Sequence, residues 1–241
     1  MKKNILTISD GNGVDTDFKK WPFYLGLLMS KTANIINRSV IGASNELMFM
    51  KLADSVDQEE IDFAIVQWSF PNRLDVVANE FWQAQAKEDS VYHFNFTESA
   101  GKEWWVTSAS ENSYIRDYHE KYINKWQATQ RSQTTMLAAA ELLKQKGIKF
   151  VFSLCYEFNF VSPTKNILET YPWVWHSPNQ GLSEFRTQSR FAEFDTGLPR
   201  PHTLIQLDWI DKVLRPSCEF IDYNQTTYYN IEQTLLKTCS K

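Results

Sequence analysis

Gly11-Asn12-Gly13 follows an apolar run, where a dinucleotide-binding turn would set glycines against a pyrophosphate. That fingerprint needs a further glycine at position 16, and the chain carries Thr16. Gly101-Lys102 has the ending of a phosphate-cradling loop, but Glu103 follows it and Phe96 stands where the first glycine belongs. His119-Glu120 opens like a zinc-protease helix, yet the second histidine would fall at Ile123. His93, His119, His176 and His202 are scattered without metal-ligand spacing, and read as ordinary surface or half-buried imidazoles. Cys155, Cys218 and Cys239 are too few and too far apart for a disulfide framework or a Cys-rich zinc site, and suggest a reducing compartment. No metal and no cofactor is expected. Arg116, Lys121 and Lys125 alternate with aromatics between Tyr114 and Trp126, but Glu111, Asp117 and Glu120 dilute their charge, as on a solvated helix face.

The elements that would position any chemistry are clearer. Asn4–Ile8 is a short apolar run that stops at Ser9-Asp10-Gly11, a buried strand running into a turn. Trp21–Met29 suits a helix with Pro22 in its first turn. Asn34–Val40 is a second strand. A turn then enters a helix with Ser44 or Asn45 as N-cap and Leu47, Met48, Met50, Leu52 and Ala53 on its buried face. Ile61–Trp68 is nearly continuous in apolar residues, as in a strand covered on both faces. Helix dominates from Tyr114 to Lys146 and stops at Gly147. Ile148–Cys155 is a fourth strand, Leu204–Leu214 a helix closed by Arg215-Pro216, and Cys218–Ile221 a short added strand. Two stretches, 74–113 and 157–203, read as irregular insertions. Strands alternating with helices predict an α/β fold: a three-layer α/β/α sandwich with a mostly parallel central sheet, of flavodoxin-like kind. In such sheets ligands bind beyond the carboxyl ends of the strands, so the loops starting at Ser9, Ile41, Ser69 and Tyr156 share one rim.

Composition bounds the rest. The 241 residues carry 25 Lys and Arg against 29 Asp and Glu, a net charge of −4 that excludes a strongly basic nucleic-acid footprint. Hydrophobics at 43% and charged residues at 22% exclude global disorder, and the length suits one domain spanning 1–241. Nine Trp are read mainly as bulky core. After Lys2-Lys3 only Ile5–Ile8 is apolar, too short for a secretory signal, and no run approaches a spanning helix. A cytoplasmic protein without nucleic-acid or membrane partners is expected.

The rim segments resemble one family. Asp10 after a strand, Trp21-Pro22-Phe23-Tyr24-Leu25, and above all Asn37-Arg38-Ser39-Val40-Ile41-Gly42-Ala43-Ser44-Asn45 are similar to blocks of the SGNH/GDSL hydrolases, notably small phage and bacterial versions. The resemblance implies the α/β/α fold, an ester hydrolase cleft and an oxyanion-hole amide at Gly42. It places Gly11 at the position of the nucleophilic serine. Trp68-Ser69-Phe70-Pro71-Asn72-Arg73 matches the third block, with Ser69 or Asn72 in place of its asparagine. Aligning Trp209 with the last block puts Arg200 at the catalytic histidine and Gly197 at the triad aspartate, with His202 two residues on and Asp195 and Asp208 as acidic candidates beside it.

The scaffold residues of the resemblance are therefore present and its reagents replaced. Gly11 has no nucleophile, and Arg200 is a permanent cation that cannot act as a base. One reading is a disarmed cleft that binds a small ester, a glycan or an anionic ligand, with Arg73 and Arg200 favouring a carboxylate or phosphate; structural ion pairs explain both arginines equally well. A second is an esterase with a relocated apparatus, Ser9 or Ser69 as nucleophile beside Asp10 and His202 as base. A third is a structural or assembly protein of virion type. Asp10, Gly11, Gly42, Asn45, Ser69, Asn72, Arg73, Arg200 and His202 are the expected pocket residues.

Overall fold

A computed structural model describes residues 2–10, 20–40, 43–71, 73–77, 95–99, 102–107, 121, 124–155, 159–173, 182–195 and 202–239. Their strands are β1 (Lys3–Ser9), β2 (Ala33–Asn37), β3 (Phe63–Trp68), β4 (Leu74–Val77), β5 (Asn95–Ser99), β6 (Lys102–Thr107) and β7 (Lys149–Leu154). The helices are α1 (Trp21–Leu28), α2 (Asn45–Gln58), α3 (Lys125–Gln145), the short α4 (Lys165–Leu168) and α5 (Leu182–Phe185), α6 (Thr203–Trp209) and α7 (Gln225–Cys239). Beyond Trp209 the coil of α6 widens to a π-helical turn, Ile210–Leu214, and ends in Arg215–Ser217.

The fold is α/β. Strands β2, β1, β3 and β7 lie side by side in that order, all parallel. Every residue of β3 is buried, as its unbroken apolar run requires. Alternation then divides the sheet between two cores. Leu6, Ile8, Val66 and Phe152 pack with Leu47 and Leu52 of α2 and Met136 and Leu143 of α3. Ile5, Ile65 and Val151 pack with Trp21 and Leu25 of α1 and Leu204 and Trp209 of α6.

Local sequence explains how the helices start and stop. Ser44 caps α2, its Oγ accepting the amide of Leu47 at 3.2 Å. α3 ends in a Schellman turn: Gly147 at φ 68° lets Ile148 donate to Leu143 and Gly147 to Lys144. α1 has no capping side chain of its own. Instead Gln206 of α6 accepts the amide of Trp21 at 2.9 Å, satisfying an orphan donor across 185 residues of sequence. Trp21 is fully buried, sets its indole edge-on to Trp209 at 5.7 Å and donates from Nε1 to Gln67 of β3 at 3.2 Å.

Two sequence expectations are corrected. The stretch 74–113 holds an antiparallel sheet of order β4-β6-β5, with Val76 opposite Trp105 and Thr97 opposite Trp104; its short strands of mixed polarity left no clear period. Cys218–Ile221 is a turn, in which Ile221 donates back to Cys218 at 2.9 Å. The C-terminal helix α7 was not expected at all. It starts at Asn224, whose Oδ1 accepts the amide of Thr226, and buries Tyr228 and Glu232. Arg190 docks it by donating to Tyr228 at 2.8 Å and Glu232 at 2.6 Å on α7 and to Asp208 at 3.1 Å on α6. In the second insertion, Pro172 and Trp173 lie along the outer edge of β7: Phe152 donates to Pro172 at 2.9 Å, and the rings of Phe152 and Trp173 meet at 5.6 Å. An otherwise open strand edge is thereby covered.

The large tryptophans divide as the sequence suggested. Trp21, Trp68 and Trp209 are fully buried, while Trp126 is 57% exposed. Cys155 and Cys218 are buried thiols, and burial pushes the Cys218 pKa up to about 12. No helix among the described residues is long and apolar enough to cross a membrane.

The central strands set the stability. Ile65→Ala, at a fully buried position, should cost about 2–5 kcal/mol in urea unfolding. Leu27→Ala, at a 40% exposed one, should cost less than about 0.5 kcal/mol.

Candidate functional site

β1 pairs with β2 on one side and β3 on the other. The chain leaves β1 toward one edge and returns past it to the opposite side, so a switch point forms at the carboxyl ends of β1 and β3. Asp10 stands there, one residue beyond β1 and only 2% exposed. Its side chain reaches the ends of the next two strands. Ser69, just after β3, donates from Oγ to Oδ2 at 3.2 Å, and Cys155, just after β7, donates from Sγ to Oδ1 at 3.0 Å. Arg73 supplies the countercharge, with Nη1 at 3.0 Å from Oδ2. That contact is an ion pair without good hydrogen-bond direction, since the buried Nη1 has no aligned acceptor.

A second tie holds the rim from β2's side. Asn45, at the start of α2, accepts the amide of Ser69 at 2.8 Å and donates to its carbonyl at 3.2 Å. Asn45 is buried, so both halves of this exchange are shielded from water. Ser39 accepts the amide of Ser9 at 3.0 Å and donates to Asn37 at 2.7 Å, which also accepts from Thr7 at 3.2 Å. Asn37, Ser39, Ser44 and Asn45 of the second resembling block therefore each tie a backbone group or neighbouring side chain at the rim.

The expected pocket residues separate. Ser9, Asp10, Asn45, Ser69 and Arg73 share the rim. Gly11, Gly42, Asn72 and Arg200 lie outside the described residues. Cys155 is the rim residue that sequence reasoning missed; its place at the carboxyl end of the expected fourth strand, one residue past β7, was the available signal.

The two candidate nucleophiles are spoken for. Ser9 is fully buried, and its Oγ donates to the carbonyl of Asp10 at 3.0 Å. Ser69 is 1% exposed and gives its proton to Asp10. Among the described residues neither serine has a histidine as hydrogen-bond partner. His202 acts as the N-cap of α6, its Nδ1 accepting the amide of Leu204 at 3.3 Å. A triad histidine instead keeps a proton on Nδ1 for its acidic partner. The ring stacks on Phe194 at 5.7 Å, and burial lowers its pKa, partly opposed by the charge of Asp195. Asp195 gives both oxygens to Arg186, at 2.8 and 2.5 Å, and Asp208 accepts from Ser189 at 2.7 Å and from Arg190. Among the described residues no group of three or more His, Cys, Asp and Glu forms a metal-binding cluster.

A scan against protein-family models and a search of curated proteins each return no match for the chain.

Two measurements follow from this geometry. Asp10→Ala strips the proton acceptor from Ser69 and Cys155 and the counterion from Arg73. Loss of a buried partner costs about 3–5 kcal/mol, and the lower end is expected because Arg73 is 23% exposed and can rehydrate. His202 should titrate by NMR below the ordinary value of 6.5. Between 6.5 and that lowered midpoint the unfolded chain binds more protons, so stability is full above this window and falls as pH drops through it. His202→Asn keeps an N-cap acceptor and should flatten that slope in urea unfolding at successive pH values.

Proposed function

We propose that this chain is an SGNH-hydrolase-like domain whose cleft binds a small ligand in place of hydrolysing an ester, in a reducing, cytoplasmic setting. The observation that carries the reading is the Asp10 cluster at the β1/β3 switch point. It stands where open α/β sheets take their ligands, yet its hydroxyl is committed as a donor to a carboxylate. Acyl transfer needs an oxygen nucleophile, a base to take its proton and donors for the oxyanion. Gly11 and Arg200 remove the first two at the positions the resemblance assigns. The Nδ1 of His202 is occupied by the α6 amide. Because triad members act as a unit, losing two leaves little beyond binding and oxyanion donors.

The test is turnover of p-nitrophenyl acetate and short acyl esters, with labelling by a fluorophosphonate probe. The chain is expected to be inert to both, and Gly11→Ser combined with Arg200→His is expected to gain measurable hydrolysis. Parent activity abolished by His202→Ala, or fluorophosphonate labelling of Ser9 or Ser69, would overturn the proposal in favour of a relocated esterase.

A further inference from the structure

We propose that Arg73 anchors an oxyanion subsite at the β1/β3 switch point, taking the carboxylate or phosphate group of the bound ligand on its Nε and Nη2 edge. The inference rests on the ligand-binding reading above and adds the chemistry of what is bound. A guanidinium presents five N–H donors in a planar fork. Arg73 turns its Nη1 toward Asp10 at 3.0 Å, and the ring of Phe70 lies 5.7 Å from its central carbon. Among the described residues Nε and Nη2 have no acceptor. Of the guanidinium nitrogens without an acceptor only Nη1 is buried, which leaves the Nε and Nη2 edge open to solvent or to a ligand.

Asp10 offsets the charge of Arg73 from the Nη1 side, so the free edge would hold a ligand by directed N–H bonds more than by net charge. Ser69 donates into the Oδ2 of Asp10 and Cys155 into its Oδ1, so both oxygens are engaged within the cluster. The backbone that carries the arginine is also held in place. Arg131 of α3 donates to the carbonyl of Arg73 at 3.3 Å, and its own Nε pairs with Glu46 of α2 at 2.5 Å. A fixed guanidinium with one edge unspent matches two oxygens of a carboxylate or phosphate through parallel N–H bonds. A lysine cannot reproduce that fork.

Calorimetric titration of the full chain with inorganic phosphate and, separately, acetate at constant ionic strength tests the subsite. Saturable binding of at least one is expected, in about the millimolar range for such small probes. Saturation by phosphate but not acetate identifies a phosphate-bearing ligand, and by acetate a carboxylate-bearing one. Arg73→Lys should weaken the affinity by about tenfold or more. Asp10→Asn combined with Arg73→Gln exchanges the ion pair for a neutral one, leaves no lone buried charge, and should abolish saturation while a thermal melt reports folding. Arg38→Gln, at an exposed arginine paired with Glu59, should bind like the parent. Failure of both probes to saturate the parent overturns the subsite, as does unchanged affinity in the folded Arg73 variants. In the latter case the cleft still binds without Arg73, whereas His202-dependent ester turnover would sink the cleft reading itself.

Discussion

A carboxylate that is 2% exposed cannot stand alone: removing such a charge from water costs several kcal/mol unless charge and hydrogen bonds compensate it. Asp10 meets that demand by gathering donors from the ends of other strands, Ser69 and Arg73 after β3 and Cys155 after β7. One side chain just past β1 thus links the ends of three consecutive strands of the sheet. Asn45 holds Ser69 from the side of α2, which immobilises the backbone that carries Arg73 four residues later. The shape of the rim follows from satisfying one buried charge.

The ends of these strands are polar as well. Ser9, Gln67 and Ser153 stand opposite one another across β1, β3 and β7, all at most 1% exposed, on the face that otherwise carries Ile5, Ile65 and Val151. Gln67 spends its oxygen on the indole of Trp21, while its amide nitrogen is buried without a partner. An unsatisfied buried donor costs about 1–3 kcal/mol, a penalty an apolar residue would avoid. The gain is registration: through Gln67, Trp21 and Gln206, the start of α1 is tied both to β3 and to α6. Three of the buried atoms without a partner, on Gln67, Trp68 and Arg73, belong to the carboxyl end of β3 or the turn after it.

What the sequence revealed tracks how local the cause was. β1, β3 and β7, the Ser44 cap and the Gly147 stop are written in neighbouring residues, and so they were readable. The antiparallel β4-β6-β5 sheet depends on pairing between Leu74 and Thr107 and between Asn95 and Val106, which no window of one strand contains. α7 was hidden because its buried face mixes Tyr228 with Glu232, a carboxylate acceptable there only because Arg190, 42 residues upstream, pairs with it. At the site, Ser9, Asp10, Ser69 and Arg73 were legible as strand-end residues of one rim. Cys155 was not, since a lone cysteine after a strand acquires meaning only once Asp10 lies 3.0 Å away.

The residues from Asn37 to Asn45 have duties at the rim that can be accounted for one by one. Asn37 and Ser39 satisfy Thr7 and the amide of Ser9; Ser44 caps α2; Asn45 exchanges hydrogen bonds with Ser69. Each of these duties concerns the folding of the rim and none requires a nucleophile or a base. Replacing any of them would leave a buried donor or acceptor unmet, whatever the cleft does. Folding alone therefore accounts for these residues, and their pattern speaks to the geometry of the strand ends while leaving any chemistry to the groups that line them.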